Sequence, residues 1–513
     1  MKKKKLLILS LMVLVTMVFM ASSANQTLAI DFDLLGKPVT LMGYAQQGVS
    51  YGIPNNDYFD TKRNFQSALF QGLLEVAYSP HPDLKLFGSG KVNADWAYPI
   101  LRNNNEWEDK GFNGSRERLY IFDDGRDLLN ELHVTWYPGD FYFRVGKQVV
   151  VWGETDGFRL MDQINPVDQR RGMSDLQFEN TILPLWLVRA EYRPPLKSSW
   201  LKDLGFQFIF NPNLEFRANE RIVPGNELFG IWAPNIEIPL GGPYPFDYAR
   251  LGSFDEHLKK PNHAFEREGM EFGFRVRSVI WDSIITLNYF YGRENDAVRR
   301  ALPLPPRMEV SPFDGRLIIH PAMEGYYPRF RYVGGTFTRD LEWVKASFLG
   351  GVSPVLRLEA FYAFDFTNAS EINTYEQSDE FRWAVGADWK VKIPFLNPKA
   401  YFMISPQFYH RRIMDYPSNF KLQDFSGTIK KDNYQTSLMI NTTYFHNKLQ
   451  PMFFWLRDIT NKGDIFKLQV GWEQSHRWKY TLGVLLINAK DKGVNFQPLE
   501  HKDQIFFTVS YKF

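Results

Sequence analysis

The chain has 513 residues, no cysteine, a formal net charge of +2 and 16% aromatic residues, at a mean hydropathy of −0.33. The missing cysteines exclude disulfides, thiolate metal sites and covalently attached haem. The near-neutral charge argues against nucleic-acid binding and against polybasic membrane attachment. Abundant aromatic residues in a chain of negative mean hydropathy are typical of a β-barrel whose apolar side chains face lipid and whose polar ones face inward.

The first element in the chain is a targeting signal. A run of four lysines precedes the apolar stretch Leu6–Met20, and small residues follow it. This order is typical of a secretory signal peptide. We predict a signal peptide at 1–24, with cleavage as late as residue 29, and one barrel domain at 25–513. A membrane anchor is the weaker alternative because the apolar run is short, and no later run of about 18 apolar residues predicts a transmembrane helix.

Period-two alternation of apolar and polar residues marks strands along the rest of the chain. We predict strands at Val39–Ile53, Ser67–Tyr78, Leu84–Tyr98, Leu128–Tyr137, Phe141–Trp152, Leu185–Tyr192, Leu204–Phe210, Glu268–Val279, Ile284–Gly292, Arg329–Arg339, Val355–Phe366, Phe381–Ile393, Ala400–Tyr409, Tyr434–Phe445, Leu449–Leu456, Ile465–Glu473, Tyr480–Asn488 and Ile505–Phe513. The segment from Asp340 to Pro354 fits a hairpin or a short helix. Short connections alternate with long polar ones, which predicts an all-β fold: a transmembrane antiparallel β-barrel of about 18 strands (16–18) in a Gram-negative outer membrane, with short periplasmic turns and long extracellular loops.

The last predicted strand reads IFFTVSYKF and ends in Phe513. Its apolar residues share one face, and Phe506 is the exception on the polar face. The strand resembles the closing strand of Gram-negative outer-membrane barrels. That resemblance implies that Tyr511 and Phe513 belong to the signal read by the barrel-assembly machinery. The alternative is an edge strand of a soluble sandwich.

Charged residues occupy the polar face of the predicted strands. Eighteen strands would enclose more space than side chains can fill, so these residues are predicted to line a water-filled lumen. The predicted lumen-lining residues are Arg144, Arg189, Glu191, Glu271, Arg275, Arg277, Arg382, Asp388, Lys467 and Glu473. In the alternative, which is compatible with the first, their ion pairs neutralise a plugged lumen.

A long polar connection at 153–184 follows the strand Phe141–Trp152, in which Lys147 breaks the alternation and is expected to lie near an end or to reach toward water. The connection keeps apolar anchors, so we expect it to be ordered. We predict that it folds into the barrel, where mixed charges at a constriction would select solutes. The candidate constriction and solute-binding residues are Glu154, Asp156, Arg159, Asp162, Asp168, Arg170 and Arg171. The alternative is a loop that caps the mouth.

The segment GKQVVVWGETDGFRLMDQINPVDQR resembles the marker segment of a family of uncharacterised Gram-negative outer-membrane β-barrel (porin-like) proteins. The pattern W-G-E-x-D-G-x-R-x-x-D-x-x-N-P-x-D is matched from Trp152 to Asp168. The resemblance implies an outer-membrane channel or transporter. Members of that family are often linked with export pumps and with the handling of lipids or hydrophobic compounds.

Catalytic and metal-binding patterns are weak. The nine histidines are scattered, with no His-Glu-x-x-His and no Gly-x-Ser-x-Gly motif. Glu154 and Asp156 are spaced like an acid/base couple but are more typical of solvated loop charges. The loop acids offer oxygen ligands to calcium without the spacing of an EF-hand. We therefore expect no enzyme activity, no metal and no cofactor.

Three functional hypotheses remain. The first is a porin-like channel that passes small solutes through a charge-lined lumen. The second is a conduit for hydrophobic compounds or lipids that works with an export system. The third is a non-conducting barrel enclosing a partner such as an electron-transfer protein. Expected partners are outer-membrane lipids, lipopolysaccharide and the barrel-assembly machinery, and a homo-oligomer or an export-system partner is left open.

Overall fold

The structure is a computed structural model that describes residues 29–53, 65–96, 128–155, 159–169, 181–196, 198–220, 236–240, 247–252, 254–261, 264–310, 315–345, 350–424, 427–489, 496, 499–500 and 502–513. The predicted signal peptide and three predicted constriction residues, Asp156, Arg170 and Arg171, lie outside these residues. Among the described residues, no helix is long and apolar enough to cross a membrane.

One antiparallel sheet closes on itself to form a barrel of 18 strands. In chain order the strands are β1 Lys37–Gly52, β2 Leu69–His81, β3 Leu84–Asp95, β4 Leu129–Trp136, β5 Phe141–Gln148, β6 Leu185–Tyr192, β7 Leu201–Asn211, β8 Glu271–Ile280, β9 Ser283–Arg293, β10 Arg329–Asp340, β11 Val355–Ser370, β12 Tyr375–Val391, β13 Phe402–Ile413, β14 Asp432–Asn441, β15 Leu449–Asp458, β16 Gly463–Glu473, β17 Trp478–Ala489 and β18 Gln504–Lys512. Each strand pairs with the next, and β18 pairs with β1. All 18 predicted strands are present, so the predicted fold is confirmed.

The outer surface of the barrel is apolar. On β8, Phe272 and Phe274 are 40% and 43% exposed, while Arg275 between Phe274 and Val276 is half-buried on the other face. The last strands behave alike: Leu468, Val470, Ile505 and Phe507 are all exposed. A closed barrel satisfies every strand hydrogen bond internally and so tolerates lipid around it. The molecule is thus a closed β-barrel with an apolar outer face, which is the arrangement of barrels that span outer membranes.

Short turns join the strands at one end of the barrel, as predicted. Trp281 and Asp282 connect β8 to β9 with φ of 45° and 63°, the left-handed conformation that two-residue hairpins require. In the described part of the ambiguous segment after β10, residues Glu342–Val344 form a 3₁₀ turn. At the seam between the first and last strands, Gly43 and Phe513 exchange backbone hydrogen bonds of 2.9 and 3.0 Å.

At the opposite end, the long connections form strands that the sequence did not predict. One four-stranded sheet combines Glu237–Pro239, Tyr248–Leu251, Arg307–Val310 and Leu317–His320, and a three-stranded sheet combines Asp255–Lys259, Val298–Ala301 and Ala322–Tyr326. Both sheets join the β7–β8 connection to the β9–β10 connection. Their strands are three to five residues long, too short for alternation to stand out among the prolines.

Several predicted strand boundaries differ from the structure, and the one at the end of β5 matters for the site. The strand β5 ends at Gln148, whereas alternation predicted it to Trp152. Beyond Gln148 the backbone leaves the sheet, because the Val150 and Trp152 amides donate to the side chains of Asn165 and Asp162, at 2.8 and 2.6 Å. Lys147 lies near the end of the strand, as expected, but it is buried, with its ammonium 3.8 Å from Glu215.

Candidate functional site

The connection after β5 folds into the barrel. We call residues 149–155, 159–169 and 181–184 the inner loop. Its side chains Trp152, Leu160, Met161 and Ile164 are buried in one cluster with inward-facing apolar residues of the wall. The wall residues of this cluster include Leu187 on β6, Ile209 on β7, Phe290 on β9, Tyr332 on β10 and Phe361 on β11. The inner loop therefore lies inside the lumen against β6–β11, and the alternative of a loop over the mouth is not what the described residues show.

Trp152 fixes the start of the loop to the wall. Its indole Nε1 donates to Gln207 Oε1 on β7 at 2.6 Å, and the side chain has no exposed surface. The ring lies directly over Gly273 on β8, where a Cβ would stand 2.6 Å from Trp152 Cη2. Glycine at position 273 thus makes room for the indole.

Two polar side chains of the loop hold its own backbone. Asp162 Oδ1 accepts the amides of Trp152 at 2.6 Å and Gly153 at 2.8 Å. Asn165 Oδ1 accepts the Val150 amide, and its Nδ2 donates to the Leu183 carbonyl at 2.9 Å. Asp162 and Asn165 therefore bring the two ends of the inner loop together inside the barrel.

Glu154 joins the loop to strands β8 and β11. Its carboxylate lies 3.8 Å from the Arg275 guanidinium. Its amide and that of Thr155 donate to the Glu359 carboxylate, the second at 2.5 Å. Arg357 donates to the Glu154 carbonyl and to Asp388 at 2.9 Å. The loop is thus pinned to β11 by two oppositely charged wall residues.

The other described candidates of the loop occupy different positions. Arg159 Nη2 donates to the Asn165 carbonyl at 3.0 Å, and the side chain borders the open lumen. Burial lowers the pKa of the Arg159 guanidinium, and Asp162 opposes that shift, so it stays charged at physiological pH. Asp168 is buried, and its amide donates to the Thr181 carbonyl at 2.7 Å.

The predicted lumen-lining residues are mostly engaged with neighbours on the wall. Glu191 accepts from Arg189 Nε at 2.8 Å and from Gln207 at 2.7 Å. The remaining pairs are Arg144 with Thr135 (3.0 Å), Glu271 with Asn211 (2.8 Å), Arg277 with Asp203 (2.5 Å), Arg382 with Glu380 (2.8 Å), Glu473 with Gln450 (3.2 Å) and Lys467 over the Phe506 ring (5.3 Å). Some of these inward charges are therefore compensated by an ion pair on the wall, and the others contact neutral side chains.

Open space remains on one side of the lumen. A cavity of about 1590 Å³ is bordered by Arg159, Asp162 and Gln163 of the inner loop and by inward residues of β10–β18 and β1. None of the inward residues of β2–β8 that the structure describes borders it. The inner loop and its apolar cluster thus fill one side of the barrel and leave open space along the other.

The apolar part of this cavity was not predicted from the sequence. Met439, Met452 and Phe454 are half-buried and border the cavity. The strand register pairs Met439 with Phe454. The signal was present in the sequence: on β14 and β15 both faces carry apolar residues, which a purely polar lumen does not require.

Among the described residues, no group of three or more acidic, histidine or cysteine side chains could hold a metal ion. The polar atoms of the site are arranged as ion pairs and backbone hydrogen bonds, which position the loop.

A family described as "Protein of unknown function (DUF1302)" matches residues 17–213, which include the inner loop. No curated protein matches the chain. Among solved structures, OccAB3 of Acinetobacter baumannii is similar at 8% identity and a TM-score of 0.46, covering 93% of this chain and 99% of that chain. OccD3 (OpdP) of Pseudomonas aeruginosa is similar at 7% and 0.45, covering 95% and 94%. OmpF of Salmonella typhi, solved with daunomycin, is similar at 9% and 0.40, covering 94% and 100%.

Proposed function

We propose that the chain is a passive outer-membrane channel in which small solutes cross along the β11–β1 side of the lumen and the inner loop sets the width of the path. One observation carries this proposal. A closed 18-stranded barrel holds a loop pinned against one wall while a cavity of about 1590 Å³ stays open beside it. A plug that only sealed the barrel would not leave such a space.

The charges support selection as well as passage. Seven basic and five acidic side chains border the cavity. Burial raises the pKa of Glu294, one of those acids, well above its usual range. A path with an excess of positive charge favours anions.

The conduit for hydrophobic compounds is the second candidate, and the half-buried Met439, Met452 and Phe454 favour it. Every barrel strand is paired on both sides, including the seam between β18 and β1. A hydrophobic solute would therefore have to travel through the lumen, because the strand pairings of the described residues leave no unpaired seam as a side exit.

An enclosed folded partner has less support. A folded domain of 100 residues has a radius of gyration of roughly 13 Å. A domain of that size does not fit into the cavity of about 1590 Å³ beside the inner loop. The barrel-assembly machinery, outer-membrane lipids and lipopolysaccharide remain the partners we propose on general grounds, and a homo-oligomer or an export-system partner stays open.

The test is single-channel recording of the purified, refolded protein in planar bilayers. We expect steady conductance with a preference for anions. A barrel that migrates as folded on gels but carries no current would overturn the channel proposal.

A further inference from the structure

Two arginines stand side by side on the open wall of the lumen. Arg382 on β12 and Arg411 on β13 are cross-strand neighbours, and both border the cavity. Arg382 has its own counter-charge: its Nε and Nη2 donate to Glu380 Oε2 at 2.8 and 2.5 Å. Its guanidinium also lies 4.9 Å from the centre of the Phe366 ring. Arg382 is therefore compensated and held in place.

Arg411 has no such compensation. In the part of the chain that the structure describes, no carboxylate forms an ion pair with Arg411, and its buried Nε has no hydrogen-bond partner. The next residue, Arg412, lies on the outer face and pairs with Asp432 at 3.6 Å. A partly buried guanidinium without an acceptor is costly, and a planar carboxylate is the group whose geometry matches its fork of donors.

Apolar surface lies further along the same cavity. Ser405, six residues before Arg411 on β13, pairs with Met439, so the Met439–Phe454 patch begins roughly 20 Å from Arg411 along the wall. The register places Lys467 directly beside Phe454. A solute that moves inward from Arg411 therefore meets an apolar wall with a second cation next to it.

We propose that this path takes amphipathic monocarboxylates, small acids with one carboxylate and an apolar aromatic or aliphatic body. The carboxylate binds first at Arg411 beside Arg382, and the apolar body then passes along Met439, Met452 and Phe454 with the carboxylate near Lys467. One uncompensated guanidinium matches one negative charge. The inference rests on the proposed function, because it names the solute class of that channel.

The probe is 4-phenylbutyrate, tested as a blocker of the potassium chloride current through single channels. Butyrate serves as the control for the apolar body and 4-phenylbutylammonium as the control for the charge. We expect phenylbutyrate to block at concentrations at least tenfold lower than either control. Equal block by all three compounds would overturn the inference while leaving the channel intact.

Variants with matched controls locate the site. Arg411→Gln should raise the half-blocking concentration of phenylbutyrate about tenfold or more, as expected for a lost charged hydrogen bond, and Arg411→Lys should restore part of it. Arg412→Gln, on the outer face of the same strand, should have no effect. Phe454→Ala should weaken block several-fold, and Phe453→Ala, which faces lipid, should not. Equal effects of the inner and outer members of either pair would refute the assignment.

Calorimetric titration of phenylbutyrate into the detergent-solubilised barrel separates the two proposals. Binding that depends on Arg411 without any conductance would overturn the channel and keep the solute class. Conductance without such binding would overturn the solute class and keep the channel. Folding of each variant is checked beforehand by its heat-dependent migration on gels.

Discussion

Asp162 accepts the Trp152 amide at 2.6 Å, across ten residues of chain, and by doing so it folds the inner loop into the barrel. The same oxygen accepts the Gly153 amide at 2.8 Å. A Cβ at Gly153 would stand 2.7 Å from the other carboxylate oxygen of Asp162. Asp162, a predicted constriction residue, thus holds the backbone of the loop and also borders the cavity.

Replacing Asp162 by alanine should loosen the inner loop, because two amides lose their acceptor. Each lost hydrogen bond in such a setting costs about 1–3 kcal/mol. Hydrogen exchange should show faster exchange at Trp152 and Gly153 while the strand amides stay protected. Asp415→Ala, which removes an exposed carboxylate, serves as control. Unchanged protection at both amides would contradict the role given to Asp162.

A side chain at Gly273 should displace Trp152. Gly273→Ala would place a Cβ 2.6 Å from the indole and 2.9 Å from Ile209 Cγ1, and overpacking of this kind costs about 1–3 kcal/mol. Gly88→Ala, with its nearest atom at 3.6 Å, should be close to neutral.

Because the clash is with the indole, Trp152→Ala should relieve much of it. Thermal unfolding in detergent gives the change in the free energy of unfolding for each single variant and for the double variant. We expect the change in the double variant to be smaller than the sum of the two single changes. Strictly additive changes in the free energy of unfolding would show that Trp152 and Gly273 do not meet.

The barrel should lose stability as pH rises through a window set by Glu294. This carboxyl is buried and accepts the Thr367 amide at 3.0 Å. Burial raises the pKa of Glu294 well above its usual range, the Thr367 hydrogen bond opposes the shift, and nearby Glu380 adds to it. The stabilising contribution is complete below the unfolded pKa of about 4.3 and is lost as pH rises toward the folded pKa.

The measurement is the melting temperature between about pH 4.5 and 8. Glu294→Gln, which stays neutral, should flatten the decline by a few degrees relative to the unaltered protein. Glu371→Gln removes an exposed carboxyl and should leave the decline as it was. Parallel curves for the unaltered protein and Glu294→Gln would contradict the prediction.

The seam between the first and last strands should depend on Phe513. Its backbone amide donates to the Gly43 carbonyl, and its carbonyl accepts the Gly43 amide. A Cβ at Gly43 would stand 2.9 Å from Phe513 Cζ. Phe513→Ala should lower the amount of heat-modifiable barrel in cells several-fold, whereas Phe445→Ala, an exposed aromatic in the β14–β15 turn, should not. Equal yields from both variants would remove Phe513 from the assembly signal.

Strand positions were accessible from the sequence because an outer-membrane strand repeats one local rule, apolar outward and polar inward. The contacts that hold the inner loop in place follow no such local pattern. The Trp152 indole donates a hydrogen bond to Gln207, the Tyr332 hydroxyl to the Met161 carbonyl and the Glu154 amide to the Glu359 carboxylate. These partners are 55, 171 and 205 residues apart in the chain. A pattern read over ten or twenty residues contains none of these pairs.

One signal of the buried loop was nevertheless present. Leu187, Ile209 and Tyr332 occupy inward positions, where a water-filled lumen favours polar residues. Apolar residues on both faces of neighbouring strands indicate that something packs inside as well as outside. The ion pair of Arg189 with Glu191 joins residues two positions apart, so it is local in sequence. The lack of a counter-charge at Arg411 depends on how β12, β13 and β14 lie together, which the sequence does not show.

The central claim is that the inner loop narrows a conducting lumen. The most direct measurement compares the single-channel conductance of the unaltered protein with that of a variant in which residues 154–180 are replaced by a short glycine-serine link. We predict a conductance several-fold higher in the variant, together with weaker selectivity for anions. Equal conductance and selectivity in two barrels shown to be folded would contradict the claim that this loop controls the path.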